Sequence, residues 1–202
     1  DDNTFIDHSD ENLILDENED SGFIDSANEK AKLSNQNTYS FTKLNETLNG
    51  GNTVIDLTDN YKYSDGDEAF ENGILIKKSI TINGNGITID GSNTARIFQI
   101  SADNVIINNI TFTNAKANGD IDYNDKCGGA IIWFGANGTI SRSMFINNNA
   151  YEDGGAILWY GEYGAVSNST FINNNAEYGG AVRWESEKGT ISNSTFINNT
   201  AD

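Results

Sequence analysis

Between residues 74 and 202 apolar and polar positions alternate in short runs, each closed by Gly or Asn, and the whole arrangement repeats. Gly128-Gly129-Ala130-Ile131, Gly154-Gly155-Ala156-Ile157 and Gly179-Gly180-Ala181-Val182 follow one another at intervals of 26 and 25 residues, with Trp133, Trp159 and Trp184 five residues after each first glycine. Phe145-Ile146-Asn147-Asn148, Phe171-Ile172-Asn173-Asn174 and Phe196-Ile197-Asn198-Asn199 keep the same intervals. Two independent markers on one period define a structural repeat. Two degenerate copies precede them. One, over 74–95, is built on Ile80, Ile82, Ile87 and Ile89; the other, over 96–127, on Val105, Ile107, Ile110 and Phe112, with a surplus at 117–125 that reads as a loop at one corner.

Each repeat holds three β-type runs, for example 156–160, 164–166 and 169–172. Helical repeats of this length would need longer uninterrupted segments with less Gly, Asn and β-branched content. A three-strand rung cannot bury its apolar side alone, whereas stacking rungs about 4.8 Å apart pairs every strand with its counterparts above and below. The predicted fold class is therefore all-β, a parallel β-helix of about five rungs. Like residues then form columns, and column chemistry assigns the sides. Ile132, Leu158 and Arg183, and Phe134, Tyr160 and Glu185, tolerate charge and are assigned to the outside. Ile131, Ile157 and Val182 and the three tryptophans are assigned inside, with Ile140, Val166 and Ile191 and with Phe145, Phe171 and Phe196 from other faces. Gly128, Gly154 and Gly179 read as corner residues with positive φ, and Asn148, Asn174 and Asn199 as rung-to-rung amide ladders.

Upstream of the repeats, Phe41, Leu44 and Leu48 stand at i, i+3 and i+7 before Gly50-Gly51, which predicts a short amphipathic helix able to plug the first rung. Strand-like runs at 53–57 and 61–63 follow, then the turn cluster Ser64-Asp65-Gly66-Asp67. Residues 38–73 are thus an N-terminal cap and 74–202 the repeats. No cap is visible at the far end, so further rungs or a covering partner are expected after Asp202.

Residues 1–37 carry eleven Asp or Glu against Lys30 and Lys32, which reads as a disordered acidic arm, His8 included. The whole chain has 30 acidic and 12 basic side chains, a net charge of -18, which argues against nucleic-acid or anionic-membrane partners. No apolar run reaches the roughly 18 residues of a membrane span. One cysteine and one histidine exclude an internal disulfide and a Cys/His zinc cluster, and Cys127 reads as a small buried residue. No cofactor is expected except calcium. Asp120-x-Asp122-x-Asn124 begins like a calcium loop, but Asp125 and Ile131 replace its Gly and Glu, so an EF-hand is excluded. A looser calcium site with a neighbouring loop and a plain solvated turn both stay open, and the same two readings apply to 65–68. Sequons at Asn45, Asn109, Asn137, Asn168, Asn193 and Asn198 fit an exported, glycosylated chain, but 31 asparagines generate such triplets freely.

The pairing of Gly-Gly-Ala-Ile/Val with Phe-x-x-Asn resembles the repeats of polymorphic membrane proteins and, more closely, of adhesin-like surface proteins of methanogenic archaea, over roughly residues 38–202. The resemblance implies a right-handed parallel β-helix displayed outside the cell, attached to a surface or polysaccharide ligand, with no catalytic residue carried over. The expected function is a non-catalytic stalk and binding surface, with Ile132, Phe134, Leu158, Tyr160, Arg183 and Glu185 as the contact strip unless a loop covers it. Two rivals remain: a polysaccharide lyase or hydrolase on the same fold, for which the outward positions supply only Glu185 as a carboxylate, and a passive spacer of a surface layer.

Overall fold

The structure is a computed structural model and describes residues 36–117, 119 and 123–202. Residues 1–35 of the expected acidic arm, and Asp120 and Asp122 of the candidate calcium loop, lie outside the described residues.

The run after each glycine pair forms a three-residue strand. Ile131–Trp133, Ile157–Trp159 and Val182–Trp184 stack in parallel on one another and on Phe98–Ile100 and Ile74–Ile76, giving a five-stranded first face. Thr139–Ser141, Ala165–Ser167 and Thr190–Ser192, and after a bend Met144–Ile146, Thr170–Ile172 and Thr195–Ile197, belong to an 11-stranded sheet, which earlier turns enter as the single long strands Thr81–Asp90 and Ile106–Thr113. Lys116–Ala117, Asn149–Ala150, Asn175–Ala176 and Thr200–Ala201 close a four-stranded third face. The register advances by one repeat per turn: Trp133, Trp159 and Trp184 pair in order, as do Phe145, Phe171 and Phe196. The chain is a parallel β-solenoid of the right-handed type with about 6 turns, one more than expected. The added turn comes from the cap, whose strands Val54–Asp56 and Asn60–Lys62 pair in parallel with Thr81–Asp90 and wind as part of the coil.

Corners explain the Gly and Asn content. Gly128, Gly154 and Gly179 have φ of 64, 65 and 64°, and Asn147, Asn173 and Asn198 have φ of 55, 54 and 50°. Asn tolerates this left-handed region better than most L residues. Between corners, columns fill the core. The tryptophan rings stack at 4.2 and 4.7 Å, and Phe112, Phe145, Phe171 and Phe196 stack at 4.8, 4.8 and 4.7 Å. The indole of Trp159 lies so close to Gly164 that a Cβ there would sit 2.5 Å from the ring, and Gly138 and Gly189 face Trp133 and Trp184 in the same way.

Beside the rings runs a buried amide column. Asn148 Nδ2 donates to Asn174 Oδ1 at 2.9 Å and to the Phe112 carbonyl at 3.2 Å; Asn174 Nδ2 donates to Asn199 Oδ1 at 2.8 Å and to the Phe145 carbonyl at 3.0 Å. A serine column, Ser143, Ser169 and Ser194, does the same work at the next corner.

The helix Phe41–Asn49 lies against the Ile74–Ile76 edge of the first face, with Phe41, Leu44 and Leu48 fully buried in the main core. It occupies the place a strand would take, and Asn49 Nδ2 reaches the Leu75 carbonyl at 3.5 Å. Its N-terminus is held by Asp67, which accepts hydrogen bonds from the backbone N–H of Phe41 and Thr42 and from the Thr42 hydroxyl. In the 65–68 cluster Asp65, Gly66 and Glu68 are exposed, as a solvated turn requires, but Asp67 is only 1% exposed, and for it that reading is corrected: this carboxylate is a buried helix cap.

Candidate functional site

Register places Ile132, Leu158 and Arg183 in one column on the outer side of the first face, with Phe134, Tyr160 and Glu185 beside it. An open apolar strip is not what results. Ile132 and Leu158 are 0% exposed and pack with Cys127, with Tyr160 against them. Cys127 ends a corner segment that includes the short helical turn Tyr123–Lys126. That segment is pinned from below by Arg96, itself 2% exposed, whose guanidinium donates to the carbonyls of Asn124, Cys127, Gly128 and Asn72. The Cys127 thiol donates to the Tyr123 carbonyl at 3.2 Å, and the Tyr160 hydroxyl reaches Asn124 Oδ1 at 3.5 Å.

The exposed part of the strip is the second column and its polar end. Phe134 is 36% exposed, and its ring lies parallel to that of Tyr160 at 5.3 Å and 9°. Each ring covers one face of the other, so the stack offers mainly ring edges to the outside. Below it Arg183 Nε donates to Glu185 Oε1 at 2.5 Å and stands 3.9 Å from Asp153 Oδ1, with its guanidinium 5.9 Å from the Tyr178 ring centre.

Asp153 is 3% exposed; its Oδ2 accepts a hydrogen bond from the Tyr123 hydroxyl and its Oδ1 accepts none from the described residues. Burial pushes this carboxyl above the ordinary range; Arg183 opposes the rise and Glu185 and Glu177 add to it. The Tyr160 phenol is also pushed up, first by burial and then by the neighbouring Cys127 and Asp153.

Sequence reasoning passed over Arg96, Asp153 and the serine column. One signal was present for Asp153: it precedes Gly154 where Cys127 and Tyr178 precede the equivalent glycines, a change of chemistry within a column. Arg96 stands in the degenerate part of the repeat, where no column exposes it. Of the calcium loop, only Asn124 falls among the described residues, and its carbonyl and side chain are engaged by Arg96 and Tyr160. Among the described residues no group of three or more His, Cys, Asp or Glu could hold a metal ion, and no helix is long and apolar enough to cross a membrane.

Fold and strip together define a parallel β-solenoid repeat protein with an aromatic and ionic ridge along one outer face. No protein-family model matches the chain, and no curated protein matches it.

Proposed function

We propose that this chain is an extracellular, adhesin-like component of a cell surface, a non-catalytic β-helix that serves as a stalk and as a binding surface for a host, cell or polysaccharide ligand. The observation that carries this reading is the half-exposed Phe134–Tyr160 stack running into the Arg183–Glu185 ion pair along a parallel face. The strands that lead into Phe134 and Tyr160 lie next to paired strands on both sides, and the strand of Arg183 pairs with that of Leu158, so the ridge stands on a registered support. Aromatic and arginine side chains on such a support are the types that dominate binding energy. The resemblance of the repeat to archaeal adhesin-like surface proteins points the same way.

The test is incubation with plant and cell-wall polysaccharides. Retention without cleavage supports the proposal, release of reducing or unsaturated ends sinks it in favour of an enzyme, and the absence of both retention and cleavage favours a passive spacer. Replacing both Phe134 and Tyr160 by Ser should weaken attachment by more than about tenfold. The circular dichroism spectrum should stay unchanged, because both side chains lie outside the main core.

A further inference from the structure

The third face carries a polar column of its own. Lys116, Asn149 and Asn175 stand on one another from rung to rung, and the strands of Asn149 and Asn175 are each paired on both sides. Alanines 117, 150 and 176 alternate with them and are buried, so the column occupies the outward positions. Asn175 Nδ2 donates to Asp202 Oδ2 at 3.4 Å, and the Asn149 side-chain amide makes no hydrogen bond among the described residues. Next to the column Tyr151 is 62% exposed. Its backbone N–H donates to the carbonyls of Ala117 and Lys126, each at 3.0 Å, which fixes the point from which the ring projects. A depression of about 460 Å³ opens here, lined by Asn149, Ala150, Tyr151, Asn175, Glu177 and Asp202. Lys126 stands 5.3 Å from the centre of the Tyr151 ring and does not line the depression, so one side of the ring is taken by the ammonium group and the other is left to the depression.

We infer that this depression is a subsite for a neutral, extended oligosaccharide of equatorially linked hexopyranoses, with one sugar flat on Tyr151 and its neighbours hydrogen-bonded to Asn149 and Asn175. Such a pyranose carries C–H bonds on its two flat faces and hydroxyls around its rim. The C–H face suits the negative face of an aromatic ring, and the rim suits amides, which both donate and accept. Rungs repeat about every 4.8 Å, close to the advance of one pyranose in an extended chain, so a chain lying along the coil meets one amide per sugar. The carboxylates of Glu177 and Asp202 accept from sugar hydroxyls and repel anionic sugars, as does the net charge of -18. The volume lies within the range of about 300 to 1,000 Å³ found for ligand clefts. No residue of the Phe134–Tyr160 ridge lines it. The inference rests on the reading of this chain as a binding surface, but not on that ridge.

The probe is cellopentaose, titrated into the intact, isotope-labelled protein at millimolar concentrations, with amide NMR shifts read along the chain and pentagalacturonate as the anionic control. The side-chain amides of Asn149 and Asn175 should shift with cellopentaose and stay in place with pentagalacturonate. Tyr151→Ala should weaken binding by about fivefold or more, and Tyr151→Phe, which keeps the ring, should keep most of the affinity. Both variants should retain the circular dichroism spectrum of the wild type, because Tyr151 lies outside the main core. Replacing Phe134 and Tyr160 by Ser should leave the shifts at Asn149 and Asn175 intact, which separates this site from the ridge. Absence of shifts at Asn149 and Asn175, equal shifts with both sugars, or an affinity unchanged by Tyr151→Ala overturns the inference. Shifts confined to the surroundings of Phe134 and Tyr160 overturn it too, while leaving the adhesive role proposed above in place.

Discussion

Arg142 shows at a single residue what the corners of this coil demand. It occupies the column of Asn168 and Asn193, and all three share the left-handed region with φ of 50, 50 and 47°. Asparagine enters that region at lower cost because its short amide bonds the local backbone, whereas a long side chain keeps the clash of its Cβ with the following carbonyl. Arg142→Asn should therefore raise stability, by about 1 kcal/mol in urea denaturation. An unchanged or lower stability would mean that the arginine side chain makes a compensating contact. The same column logic explains the exposed sequon residues Asn109, Asn137, Asn168, Asn193 and Asn198: each stands at a positive-φ corner, so backbone conformation already selects asparagine there.

At the scale of the element, the helix Phe41–Asn49 depends on a carboxylate 26 residues from its first N–H. The apolar spacing of Phe41, Leu44 and Leu48 made the helix legible, but no local pattern ties Ser40-Phe41 to Asp67. That bond exists only because the coil brings the turn after Asn60–Lys62 back over the helix start. Burial pushes the Asp67 carboxyl up, but hydrogen bonds from Thr42, Phe41 and Ser64 outweigh it, and the group is held below its ordinary value. The sign follows from proton counting. The folded state binds fewer protons than the unfolded one, so the contribution of Asp67 is complete above the unfolded carboxylate value, near about 3.9, and is lost as pH falls through the lower folded value. Asp153 acts oppositely: its raised value means that the folded state takes up a proton first, and its contribution declines as pH rises through that value. Asp67→Ala should cost about 3 kcal/mol at pH 7 by leaving the Phe41 and Thr42 N–H groups unpaired. Asp67→Asn should flatten the acid limb of the stability profile relative to wild type. An acid limb identical in the two proteins would show that other carboxylates control it.

For residues 36–202 as a whole, the coil was readable because its register equals its repeat length, so a period of 25 or 26 in the sequence is the same fact as one residue standing on another in space. The columns of Trp133, Trp159 and Trp184 and of Phe145, Phe171 and Phe196 follow from that identity. The packing of Cys127 over Ile132 and Leu158 does not, because its column changes to Asp153 and Tyr178 in the next repeats, and side-chain parity says which way a residue points but not what lies beyond it. This architecture makes stability a matter of nearest neighbours. Trp159 is fully buried and stacks on Trp133 and Trp184 of the rungs on either side. Trp159→Ala should cost about 3 to 5 kcal/mol, and the loss should be directional. Rungs beyond Trp159, already more exposed at Val182–Trp184 and Thr195–Ile197, should lose hydrogen-exchange protection first, while amides beside the helix-capped end keep theirs. A compact core with long-range cross-contacts would instead lose protection everywhere at once, so a uniform loss across residues 36–202 would contradict the nearest-neighbour account of what holds this chain together.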